Sequence, residues 1–212
     1  LRYERFSDTD ETADAFILPE DHFTHSFETE LTYARSGWQL NAEASWNQRS
    51  GWEFWGLPGN TEFDPEQEDY LLYKASIAKT WFFPKFRKLG IELEHLGGED
   101  LDRFSKYDFG TFGDGSVAGY QNGLVRAEEA SGFHVDLGIG VSSSLQLGFV
   151  VDALWVTDEV GALEDELLAG VGVEGTIPGP WSTLVNLEIG VPVEGPGDGF
   201  SAYIVFLKPF NR

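Results

Sequence analysis

The sequence predicts an all-β protein, an antiparallel transmembrane β-barrel with nine to ten strands visible in 212 residues. Three observations carry this prediction. Apolar residues recur at every second position through most of the chain. The segments that do this run for 10 to 13 residues, and the connections between them alternate between long and short. Period two marks a strand whose two faces meet different surroundings. Soluble strands average about 5–6 residues, whereas a tilted strand needs about 9–11 to cross a bilayer. Outer-membrane barrels keep short turns on the periplasmic side and longer loops outside.

In chain order, residues 1–6 read as the end of one strand. Segments 26–35 and 37–48 join at Ser36-Gly37, and in the second Trp38, Leu40, Ala42, Ala44 and Trp46 oppose Gln39, Asn41, Glu43 and Ser45. Segments 70–82 and 87–97 join around Pro84, with Leu89, Ile91 and Leu93 facing away from Lys88, Gly90, Glu92 and Glu94. Segments 131–141 and 144–155 meet at Ser142-Ser143. In the first of these, Phe133, Val135, Leu137, Ile139 and Val141 alternate with His134, Asp136, Gly138 and Gly140. Segments 167–177 and 182–192 meet at Pro178-Gly179-Pro180, and 199–210 closes the chain. The long connections, 7–25, 49–69, 98–121, 156–166 and 193–198, then all fall on one side. No helix is expected, and residues 1–212 read as a single domain.

Charge narrows the partners. Asp and Glu number 36 against 14 Lys and Arg, giving a net charge of −22. Such a surface repels phosphate backbones, which excludes nucleic acid. Of the 36 acids, 24 lie in the five long connections, as expected of solvated extracellular loops. Cation bridging to lipopolysaccharide is a sharper reading, since hard cations take carboxylate oxygens. No acidic cluster has the spacing of a defined metal site. Lys85, Arg87 and Lys88 gather at a short turn with Lys79 nearby. Lys79 and Lys208 take the outward parity near short turns, where a long stem reaches water. Trp38, Trp46, Trp81 and Trp155 fall near strand ends, as interfacial girdles require. The absence of Cys excludes disulfides and thiolate chemistry. His134 and Asp136 share an inward face, but no serine is placed to use them. The expectation is therefore no enzyme, no cofactor and no metal. The absence of Met, even at position 1, points to a piece of a longer chain.

The last third carries a more particular pattern. Gly148-Phe149-Val150-Val151-Asp152-Ala153 is followed by Ala169-Gly170-Val171-Gly172-Val173, then by the Pro178-Gly179-Pro180 turn, a strand ending at Pro192, and Phe206-Leu207-Lys208-Pro209-Phe210. Over roughly residues 87–210 this resembles the C-terminal barrel of the BamA/TamA, or bacterial surface antigen, superfamily. The resemblance implies a sixteen-stranded parent barrel in the bacterial outer membrane. It implies insertion, assembly or translocation of proteins there. Outer-membrane lipid, lipopolysaccharide, unfolded outer-membrane proteins and periplasmic accessory subunits would be its partners. It also implies that the loop at 98–121 enters the barrel lumen through Val117, Ala118, Gly119 and Tyr120, where the family has Val-Arg-Gly-Phe/Tyr. Ala118 stands in the place of the arginine. Asp152 matches the lumen-wall aspartate which that arginine meets, so Arg126, with Arg103 second, is the expected substitute. Phe206 and Phe210 match the terminal assembly signal. Two other functions stay open: a passive channel or structural barrel, and a membrane anchor for an upstream enzyme domain.

Overall fold

The computed structural model describes residues 1–9, 12–60, 63–64, 67–85, 87–142, 145–158, 165–180 and 183–208. Among these residues there are twelve β-strands and no α-helix: β1 (Arg2–Glu4), β2 (His22–Arg35), β3 (Trp38–Ser50), β4 (Asp69–Phe83), β5 (Arg87–Glu99), β6 (Tyr107–Phe109), β7 (Val125–Ala127), β8 (Glu129–Gly140), β9 (Gln146–Thr157), β10 (Glu166–Pro178), β11 (Leu184–Glu194) and β12 (Ser201–Leu207). Ten form one antiparallel sheet in the order β1-β2-β3-β4-β5-β8-β9-β10-β11-β12, and β6 pairs with β7 separately.

The main strands fall where the alternation places them, and several run further toward the long connections. β2 begins at His22 rather than 26, and β9 ends at Thr157 rather than 155. The added residues break the apolar pattern but keep the ladder: Phe23 still pairs with Ser50, and Thr24 with Arg49. Backbone pairing, not side-chain hydropathy, sets the strand end. At the other end, Ser36 (φ 51°) and Gly37 (φ 77°) make the tight β2–β3 turn. Positive φ at both central residues matches the twist of the flanking strands.

The sheet has two unlike faces. One presents Phe27, Leu31, Trp46, Leu93, Phe133, Trp155, Ile189 and Ile204 as exposed side chains. Among the described residues no second sheet and no helix covers them. On the other face, the connection from β5 to β8 folds back against the strands. It supplies Leu101, Tyr107, Phe109, Val117, Tyr120, Val125 and Ala127 to a core with Leu96, Ala130, Leu154, Val156 and Leu168. The core of this chain is therefore a sheet against its own loop.

The expected barrel is seen as an open sheet. No ladder joins β1 to β12 among the described residues. β1 is three residues long and pairs with His22, Phe23 and Thr24 of β2, so, among the described residues, 25–35 carry no ladder partner on that side.

Candidate functional site

The sharpest constellation lies where the β5–β8 connection, here called the inner loop, meets the sheet. Its base is the β6–β7 hairpin, which pairs Tyr107 with Ala127 and Phe109 with Val125. The Tyr107 hydroxyl shares its one proton between the carbonyl oxygens of Tyr73 (2.8 Å) and Gly97 (3.0 Å), fixing the loop to β4 and β5. Burial pushes the Tyr107 pKa up, so the phenol stays a donor. Beside it, Lys106 Nζ meets Asp158 at 2.5 Å and Glu128 at 3.2 Å. Burial alone would lower the Lys106 pKa, but the hydrogen bond and charge of Asp158, joined by Glu128, outweigh it and raise the pKa. Burial raises that of Glu128.

From this base the chain reaches β9–β12. Val117, Ala118 and Tyr120 are at most 1% exposed. The Ala118 N–H donates to Asp152 Oδ2 at 2.7 Å. The Tyr120 hydroxyl donates to the Glu194 carbonyl, and Tyr203 donates to the Tyr120 carbonyl at 3.5 Å. The loop backbone lies directly on the strand backbone. A Cβ at Gly170 would overlap the Ala118 carbonyl oxygen, and one at Gly190 would overlap the Gly119 nitrogen. Gly119 itself has φ +88° and lies against Val191 and Pro192. Gly170→Ala is expected to loosen the inner loop by about 1–3 kcal/mol, the usual cost of overpacking. Gly175→Ala, where an added Cβ meets only Leu147 at 3.7 Å, should leave it unchanged. Amide hydrogen exchange across residues 108–125 checks both.

Asp152 has a different partner from the one expected. It is 1% exposed, and His134 Nδ1 from the adjacent strand hydrogen-bonds its Oδ1. Arg126 is not among its partners: its guanidinium donates to the Arg103 carbonyl at 3.3 Å. The reason is parity in β7, where Val125 and Ala127 are buried and Arg126 between them is exposed. An imidazole and a backbone amide thus hold the carboxylate in place of an arginine. The sequence did hold this signal, since the register sets His134 opposite Asp152. The neighbouring Asp136 is engaged by Lys88 at 2.6 Å. Through the Ala118 N–H, which Asp152 accepts, the pair ties the inner loop to β9.

A second constellation was not visible in the sequence. Arg49, at the end of β3, makes a two-pronged bond to Asp102 at 2.6 and 3.1 Å. Its guanidinium lies 4.0 Å from the Trp52 ring and 4.6 Å from that of Tyr70. Trp52, Trp55, Phe104, His22 and Phe6 pack around it, edge to face except for the stacked pair Phe6 and His22. The inward parity of Ser45, Asn47 and Arg49 was its only advance sign. Of the expected terminal signal, Phe206 in β12 pairs with Val185 of β11 and is exposed, while Phe210 lies outside the described residues.

No family model matches the chain, and no curated protein matches it.

Proposed function

We propose that this chain is barrel wall of a bacterial outer-membrane protein of the surface antigen type, acting in insertion, assembly or translocation of proteins. In this reading the short turns face the periplasm and the acidic loops face outward, against lipopolysaccharide. The observation that carries it is the inner loop latched to Asp152 over Gly170 and Gly190. A loop that touches β4, β5 and β9–β12 from within sets the curvature of the wall around it. The uncovered apolar face supports hydrocarbon contact, because leaving so many large side chains in water is costly. Among the described residues, the outer edge of β12 and residues 25–35 of β2 carry no ladder partner. Such edges are templates on which another strand adds, whether a barrel neighbour or a client. Unfolded outer-membrane proteins and periplasmic accessory subunits are the partners this role needs.

A passive cation channel is the second reading, favoured by the inner-face carboxylates Glu94, Glu174 and Glu188. Vesicles separate the two. The chain should enter bilayers of phosphatidylcholine and speed the assembly of an unfolded outer-membrane protein beyond the rate in empty vesicles. Steady cation-selective conductance without that acceleration selects the channel. Failure to enter any bilayer overturns both.

A further inference from the structure

Charge and shape on the outer face point to a second site. The 36 carboxylates are absent from five stretches, 31–42, 70–91, 137–151, 175–187 and 199–212. Four of these hold the tight turns and the fifth holds β12. Six of the 14 cations, Arg35, Lys79, Lys85, Arg87, Lys88 and Lys208, lie at or beside the turn end, so this end is positive on a chain whose net charge is −22. Of these, Lys88 faces inward and is paired with Asp136 at 2.6 Å. Arg35, Lys79, Lys85 and Arg87 have no carboxylate at ion-pair distance among the described residues.

The sheet register gathers these cations with aromatic rings. Arg35 lies opposite Trp38, Trp38 opposite Lys79, and Phe83 opposite Arg87. Trp38, Trp81 and Phe83 are exposed. Lys79 Nζ stands 5.0 Å from the Trp38 ring and 5.9 Å from that of Trp81, and donates to the Ser36 carbonyl at 2.7 Å. Rings and a backbone oxygen hold the ammonium in place of an acid. An ammonium has three donors, so two remain open to an anion. Directly above, toward the middle of the sheet, lies an apolar groove of about 380 Å³. Its walls are Leu40, Ile77 and Leu93, and its floor is the facing pair Ala42 and Ala75. Ala75 is four residues from Lys79, roughly 13 Å along the strand at about 3.3 Å per residue.

We propose that the outer face of β2–β5 binds one anionic phospholipid, its phosphodiester on Lys79 and Arg35, which share one row of the sheet, and an acyl chain in the Ala42–Ala75 groove. This rests on the membrane reading above. It places the site in the periplasmic leaflet, opposite the acidic loops. A small anion with an apolar tail fits both halves of the surface. An acidic protein would fill the charged half and leave the groove empty.

The test uses the whole chain in vesicles of phosphatidylcholine with about one tenth phosphatidylglycerol. The protein is withdrawn in mild detergent, and the retained lipid is identified by mass spectrometry. Phosphatidylglycerol should be enriched over its bulk share. Arg35→Gln and Lys79→Gln should each reduce the enrichment by up to about fivefold, the factor expected per cation beside an anionic surface. Arg5→Gln, exposed on the opposite side, should not. Ala75→Trp should abolish enrichment with every charge intact, because it fills the groove. Retention of the two lipids in bulk ratio, with normal insertion, overturns this proposal and leaves the membrane reading standing. Enrichment that survives Ala75→Trp overturns it in favour of diffuse attraction. Displacement of the lipid by millimolar inorganic phosphate overturns it in favour of a free-phosphate site. Failure of the chain to insert overturns the membrane reading itself.

Discussion

Asp152→Ala is expected to free the inner loop from the sheet. The carboxylate is buried and accepts from both the Ala118 amide and His134. Deleting it leaves a buried N–H without an acceptor and an imidazole without its counter-charge. Leaving the buried Ala118 N–H without an acceptor costs about 1–3 kcal/mol, and loss of the His134 bond adds less because that side chain is 31% exposed. Protection of the amides in 110–125 should therefore fall by a factor on the order of 10 to 100 in hydrogen exchange. Asp152→Asn keeps an oxygen for the Ala118 amide and should cost only about 1–2 kcal/mol. His134→Ala combined with Asp152→Ala should cost less than the two single changes together, because both remove the same contact. Unchanged protection in Asp152→Ala would show that the glycine-lined backbone contact alone holds the loop, and the latch would lose its role.

Much of the wall was legible in the sequence, and the reason is physical. A strand with one apolar face writes period two into its residues, as in Phe133–Val141 and Val185–Val191. Tight turns such as Ser36-Gly37 then fix the register, which places Asp152 beside His134 and Glu188 beside Glu174. The inner loop was legible only as glycines around Val117–Tyr120. Its β6 and β7 strands have three residues each, too short for any period to register. The partners of Asp152 were less legible, because an amide donor carries no side-chain signature and His134 has a nearer acid in sequence, Asp136 on its own strand. Arg49 and Asp102 stand 53 residues apart. No local pattern couples them, since the bond forms only once two long connections pack over the same end of the sheet.

That packing makes Arg49 the site of the second large effect. Arg49→Met should destabilise the cluster around Trp52, Tyr70 and Phe104 by about 3–5 kcal/mol, because Asp102 keeps its charge in a buried place. Both side chains are only 1% exposed. Asp102 would retain donors from the Phe104 amide (2.9 Å), the Ser105 amide (3.0 Å) and the Ser105 hydroxyl (2.9 Å), which soften the loss without replacing the countercharge. Arg49→Lys should recover little. A lysine is a point charge that cannot make the two-pronged bond or lie flat between two rings. Arg49→Met with Asp102→Leu should regain part of the stability, since no unpaired charge is then buried. Thermal unfolding in lipid measures the size of the effect, and hydrogen exchange measures its reach. Asp102 opens the connection whose far end rests on Asp152. Protection lost in 99–106 but kept at 117–120 would make the two anchors independent. Loss at both would make the inner loop one cooperative unit, held at Arg49 as firmly as at Asp152.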